Sequence, residues 1–276
     1  AERQCEFYQA GVELLGAADA AADAEIIALA IQALRAAGLQ SFQISIGQAD
    51  FLRSLTGEIG LNDRQAEELR HLLVAKDMVG LTALLEEATL PQNEKDSVKR
   101  LLLTNGREEL LHEAKLLATS ETSRRAIENL EEVYSLLQAY EVADFVAFDL
   151  GLVRDFDYYT GMVFEGYTPG LGFPVCGGGR YDRLLEAFGQ PRPATGFALG
   201  VDRLLMALEK QAPRAAQKPI PVIIAWEKGA QGKAIVMAND MRKKGGCVLV
   251  ETEATVFGKT KNQQGAAAER YIFVEK

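Results

Sequence analysis

The chain has 276 residues, 48% of them hydrophobic and 25% charged, with a formal net charge of −9. These are the proportions of a soluble globular protein, long enough for one large domain and a small one. No apolar run approaches the roughly 20 residues that cross a bilayer, and three scattered cysteines, Cys5, Cys176 and Cys247, fit free thiols in a reducing cytoplasm better than a disulfide or zinc framework.

Charge is spread unevenly. From Gln211 onward 11 Lys and Arg stand against 6 Asp and Glu, whereas the preceding 210 residues hold 19 basic and 33 acidic side chains. An acidic body opposes broad non-specific binding of nucleic acid, and the small basic segment keeps the question open for the C-terminal part alone.

In chain order, Cys5–Gly16 (CEFYQAGVELLG) reads as a strand starting almost at residue 1, so preceding sequence is expected to be missing. The next segment carries Ile26, Leu29, Ala30, Ala33 and Leu34 at helical spacing, with Asp23 near its start and Gly38 as its stop. Phe42, Ile44 and Ile46 alternate with polar residues and predict a half-buried strand. From Asp50 to about Tyr140 the periods are helical. Asn62 is a candidate cap, Ala66, Leu69, Leu72 and Leu73 share a face, Asn105-Gly106 reads as a stop, and Ile127, Leu130, Val133, Tyr134, Leu136 and Leu137 form another stripe. Strands return after Phe145, with turns expected at Thr160-Gly161 and Pro169-Gly170. A short helix over RYDRLLEAFG follows, then a strand running into an amphipathic helix. A Pro-rich linker spans 211–221, and 222–276 spells β-α-β with a further strand, a compact α/β module with parallel strands.

One stretch is chemically odd. LVRDFDYYTGMVFEGY, Leu152–Tyr167, places Arg154, Asp155, Asp157, Tyr158 and Tyr159 in what otherwise reads as a strand. So much polarity is costly to bury unless the groups pair with each other or with a ligand. Gly177-Gly178-Gly179 matches no phosphate-loop spacing and fits a strand end that another backbone or a ligand approaches closely. Its followers Arg180, Tyr181 and Asp182 repeat the Arg/Tyr/Asp chemistry. Gln9 and Glu13 share a strand face, and Glu13 among Val12, Leu14 and Leu15 reads as a semi-buried carboxylate wanting a cationic or N–H partner, either an arginine of a neighbouring strand or a ligand. His71 and His112 read as solvated helix residues, and Arg203 as either a surface ion pair or an anion contact. No nucleophile elbow is present.

Together these segments follow a familiar order. EFYQAGVELLG resembles the second half of class II motif 2, LVRDFDYYTGMVFE and GGGRYDRLL resemble the two histidine-specific signatures, and ATGFALGVDRLLMAL resembles motif 3 of histidyl-tRNA synthetase. The regulatory subunit of ATP phosphoribosyltransferase, a paralogue, shares this pattern. Asp155 where the synthetase has glycine, and Gly200-Val201-Asp202-Arg203 where it has Gly-Leu-Glu-Arg, resemble the regulatory family more closely.

The resemblance implies an α+β fold: a class II synthetase-like domain over 1–210 with an antiparallel sheet and a helical insert at about 50–140, then the small α/β domain. It implies no catalytic residue, metal or cofactor. Histidine would be held by Gln9, Glu13, Arg154, Tyr158, Tyr159 and Tyr181: Arg154 on the carboxylate, Glu13 and Tyr159 on the imidazole nitrogens, Gln9 orienting the amino group. Arg3 and Arg203 match positions facing ATP in the synthetase and would be relics. The implied partners are the short catalytic subunit and a second copy of the chain, with tRNA disfavoured. The alternative is an aminoacylating histidyl-tRNA synthetase, and a third class is a free-standing amino-acid-binding regulator.

Overall fold

The computed structural model describes residues 6–88, 90–153, 159–211, 222–251 and 271–275. They fall into two compact units, Ala1–Pro213 and Arg214–Lys276.

The first unit is built on a six-stranded sheet of β1 (Gln9–Leu15), β2 (Gln43–Gln48), β3 (Val146–Phe148), β4 (Met162–Tyr167), β5 (Cys176–Arg180) and β6 (Ala194–Gly200). Their spatial order is β1-β6-β5-β4-β2-β3. Every pairing is antiparallel except β2 with β3. The strand expected from Cys5 begins only at Gln9, with residues 6–8 outside any strand and Cys5 outside the described residues.

Helix α1 (Ala20–Ala36) starts where the Asp19 side chain accepts the Ala22 N–H at 3.0 Å, and it stops before Gly38, whose φ of +99° suits a residue without a Cβ. It is packed between the sheet and a later helix, α7 (Glu121–Ala139). Ile27, Ile31 and Leu34 are therefore wholly buried, each contributing roughly 2 kcal/mol to stability. Leu29, placed on the buried face by sequence spacing, is instead 38% exposed, because the inward stripe centres on Ile27, Ala30, Ile31 and Leu34.

Between α1 and β3 lie β2 and the helical insert: α2 (Ala49–Glu58), α3 (Asp63–Ala75), α4 (Met78–Glu86), α5 (Gln92–Leu103), α6 (Glu108–Leu117) and α7. Asn62 and Gln65 form a reciprocal capping box at the head of α3. The stop expected at Asn105-Gly106 comes earlier: α5 ends at Leu103, and Gly106 bridges Phe148. The stripe on α7 is buried as its spacing predicts, apart from half-buried Leu136, and Tyr134 meets Phe148 edge-to-face at 5.5 Å.

Pro169-Gly170 does turn the chain between β4 and β5, with Gly170 at φ +84°. A hairpin at Thr160-Gly161 has its incoming arm at 154–158, outside the described residues. What is visible is Thr160 bonded to β5, and Gly161 accepting from Ala49 of α2. The RYDRLLEAFG helix is a short 3-10 segment, Leu184–Phe188, and β6 runs directly into α8 (Val201–Gln211).

The second unit has three parallel strands, β7 (Val222–Trp226), β8 (Val248–Val250) and β9 (Tyr271–Val274), ordered β8-β7-β9, with α9 (Gln231–Lys243) as the crossover after β7. Its core gathers Ile224, Trp226, Ala234, Ala238, Val248 and Val274. Among the described residues no helix is long and apolar enough to cross a membrane.

Candidate functional site

Strand side chains alternate between the two faces of a sheet. In the large sheet one face carries Phe164, Cys176, Arg180, Thr195 and Phe197 against α1. The opposite face receives a row set by the register Glu13↔Gly196↔Gly179↔Val163.

Three side chains meet over that row. The Tyr159 ring lies on Gly179, so closely that a Cβ there would come within 2.9 Å of two ring carbons. The Glu13 carboxylate lies on Gly196, where a Cβ would overlap it. Tyr181, two residues beyond Gly179, reaches over and donates its hydroxyl to Glu13 Oε2. Tyr159 is buried at 7% exposure, and Arg53 of α2 donates to its carbonyl at 3.3 Å. The glycines thus make a floor that polar side chains border, because only residues without a Cβ leave that volume to Tyr159 and Glu13.

Glu13 corrects one expectation. It is exposed rather than semi-buried, and its partner is a phenol rather than an arginine. The cause is position: β1 is the edge strand of the described sheet, paired only with β6.

Gln9 lies opposite Gly200 on the same face and is exposed. Arg203 stands in the first turn of α8. It donates to the Pro174 carbonyl at 2.9 Å and covers the Phe173 ring at 5.2 Å. Arg3, Arg154 and Tyr158, with Asp155 and Asp157, lie outside the described residues. Tyr159, Glu13 and Tyr181 are therefore brought together, with Gln9 in line and Arg203 at the loop before β5.

Behind the sheet is a cluster to which sequence reasoning assigned no role. Arg180 is 6% exposed and forms an ion pair with Asp23 of α1, donating Nε to Oδ2 at 3.1 Å and holding Nη2 2.9 Å from Oδ1. Burial pushes the Asp23 carboxyl up, while Arg180 pulls it the other way. The available signal was Asp23 itself, a carboxylate in an Ala/Ile-rich helix that needed a buried cation.

Beyond Gly177 the same face opens into a cavity of about 440 Å³ under α3, α4 and α5, lined by Lys76, Asp149, Glu165 and Tyr167 among leucines. The Tyr167 hydroxyl donates to Glu165, and the Lys76 ammonium lies 5.5 Å from the Tyr167 ring centre. Burial raises the Asp149 carboxyl against the opposing Gly151 N–H bond and Lys76 charge. No sequence pattern announces this cavity, since Lys76 enters it from a left-handed helix end at φ 53°.

The histidyl-tRNA synthetase family model matches residues 1–204. An ATP phosphoribosyltransferase regulatory subunit of Desulforamulus reducens is 40% identical over 277 residues, covering 99% of this chain and 69% of that protein. The chain belongs to this family of synthetase-like regulatory subunits. A second regulatory subunit, from Acetivibrio thermocellus, is 37% identical over 94% of this chain and 62% of its own length. Against these two relatives the chain thus spans about two thirds of a regulatory subunit. A crystal structure described as an ATP phosphoribosyltransferase regulatory subunit/histidyl-tRNA synthetase from Bacillus halodurans matches with a TM-score of 0.81 at 34% identity, covering 98% of this chain and 69% of that one. A histidyl-tRNA synthetase from Nostoc, at 22% identity and a TM-score of 0.70 over 92% of this chain and 63% of that one, shares the fold. The α+β architecture, with its mostly antiparallel sheet, is that of the class II synthetases.

Proposed function

We propose that the protein is a non-catalytic, histidine-binding regulatory subunit that works with a short ATP phosphoribosyltransferase catalytic subunit in the first step of histidine biosynthesis. The observation that carries the reading is the convergence of Glu13, Tyr159 and Tyr181 over a glycine floor. A carboxylate and two phenols offer an imidazole both acceptor and donor partners. Gln9 lies on the same face and in this reading orients the ligand's amino group, and Arg154 completes the set as the carboxylate anchor, a task that suits a planar guanidinium.

Regulation requires that histidine bind one state of the complex better than the other, with a coupling of about 1–3 kcal/mol being typical. The working unit in this reading is cytoplasmic, a homodimer of this chain inside a larger hetero-oligomer. The acidic body, with its 33 acidic residues before Gln211, disfavours a grip on tRNA. In this reading the Pro-rich segment links the synthetase-like domain to the small C-terminal one, starting after Gln211, which is the last residue of α8.

The synthetase reading is favoured by the family match over 1–204 and makes a different prediction. Incubating the intact protein with histidine, ATP and tRNA separates the two. Our reading expects no charged tRNA above background, and sustained charging overturns it.

A further inference from the structure

The Arg180 guanidinium makes five contacts, all behind the sheet. Besides the two with Asp23, it donates to the Ala17 carbonyl at 3.0 Å, to Asp182 Oδ1 at 3.1 Å and to the Asp19 carbonyl at 3.2 Å. Ala17 and Asp19 belong to the turn that leaves β1, the strand carrying Glu13. Tyr181 stands between Arg180 and Asp182, and its N–H is held by the Ala194 carbonyl at 2.8 Å while Asp182 accepts the Ala194 N–H at 3.0 Å. The Arg180 carbonyl accepts the Thr160 N–H at 2.8 Å, and Thr160 Oγ1 accepts the Asp182 N–H at 3.0 Å. Thr160 is the residue after Tyr159. One buried side chain and its neighbours therefore tie down all three chain segments whose side chains meet on the far face.

We propose that Arg180 is a positioning residue for recognition: from behind the sheet it sets the spacing of Glu13, Tyr159 and Tyr181, and with it the selectivity for a ring bearing two polar nitrogens. The inference rests on the histidine-binding reading above. Its physical basis is the fork of the guanidinium, which serves acceptors on α1, on the turn before α1 and on the residue two past the end of β5, Asp182, at fixed angles. A lysine is a single point charge on a flexible stem and cannot hold all of them. A loosened spacing costs a ligand that needs two matched hydrogen bonds more than a ligand that needs none.

The test is isothermal titration of the intact protein with L-histidine and with β-(2-thienyl)alanine, whose ring has similar size but no hydrogen-bonding nitrogen. The variants are Arg180→Lys and Thr160→Val, the second removing a half-exposed hydroxyl at constant volume. Both are expected to bind histidine about tenfold more weakly, as fits a strained or lost polar contact, with the affinity for the thienyl analogue unchanged. The ratio between the two ligands therefore falls. Should Arg180→Lys not fold, Asp23→Asn, which changes the acceptor that Arg180 Nε and Nη2 share, is titrated in its place with the same fall in the ratio expected. Variants that melt earlier yet keep the wild-type affinity and ratio overturn this inference by itself and leave Arg180 a purely structural residue. Absence of histidine binding by the unsubstituted protein overturns both this inference and the function on which it rests.

Discussion

The Tyr181 hydroxyl donates to the Glu13 carboxylate across β6, so residues 168 apart in sequence share one contact on the glycine-floored face. That bond occupies a Glu13 oxygen and fixes the direction in which the carboxylate offers its other one. Glu13→Gln and Tyr181→Phe are each expected to weaken histidine binding by about 1–3 kcal/mol, the usual cost of leaving a polar partner unpaired. Both should leave the fold intact, because Glu13 is exposed. Titration calorimetry with circular dichroism checks this, and unchanged affinity in both variants refutes the site.

The glycine floor predicts a steric defect. Gly196→Ala would drive a methyl into the Glu13 carboxylate and against the Val12 carbonyl. Displacing them is expected to cost about 1–3 kcal/mol of stability, the range for overpacking, and to abolish measurable histidine binding. Gly189→Ala serves as a control. Its φ of +112° is equally unfavourable, but its Cβ meets nothing and it lies away from the row. It should lower the melting temperature while leaving binding near wild type.

The buried pair behind the sheet predicts a severe and asymmetric response. Asp23→Ala leaves Arg180 charged in a site where the two side chains are 1% and 7% exposed. The expected loss is about 3–5 kcal/mol, as for other buried ion pairs broken on one side. Asp23→Asn, which keeps a hydrogen-bond acceptor for the guanidinium, should cost less. Urea denaturation measures both, and a ranking with Asp23→Asn the more damaging contradicts the geometry.

Glu58 predicts a pH dependence. Burial alone would raise its carboxyl, but hydrogen bonds from Ser120, Thr119 and Ser123 at the head of α7 outweigh that and hold it at about 2, against 4.5 for the free group. Because the folded value is depressed, the contribution is complete above pH 4.5 and is lost as pH falls through that window toward 2. Glu58→Gln should cost about 1 kcal/mol at neutral pH, the size of an N-cap interaction, and should flatten the acid limb of the stability profile between those values. An identical acid limb in both proteins removes Glu58 from the account.

How legible all this was depended on distance along the chain. The Asn62 cap, the α7 stripe and the Pro169-Gly170 turn follow from neighbours a few residues apart, and each stands where its spacing indicates. The β-α-β order of the small unit follows in the same way. β2 forms where its alternation predicts a strand, but it is buried on both faces rather than one, because it lies inside the sheet between β4 and β3 with Ser45 and Gln48 covered as well. Arg180 with Asp23 joins positions 157 apart, and no period or turn rule connects them. Glu13 and Tyr159 could be assigned a common ligand only through the family resemblance. Alternation along a regular strand would put Tyr159 on the face opposite Arg154, and nothing local says that Gly179 is where its ring comes to rest. Residues 154–158, the most polar part of the stretch, lie outside the described residues, so Arg154 enters only as a proposal. Glu13 was misjudged because its apolar neighbours suggested burial, while its place on an edge strand decides its exposure.

The central claim is that this chain governs a partner's transferase chemistry through histidine. It is tested most directly by assaying the joining of ATP to phosphoribosyl pyrophosphate with the short catalytic subunit, alone and mixed with the intact protein, across a histidine titration. The account predicts little activity from either protein alone, full activity from the mixture, and inhibition by histidine that Glu13→Gln shifts to higher concentration. A catalytic subunit equally active and equally inhibited without this chain would contradict it.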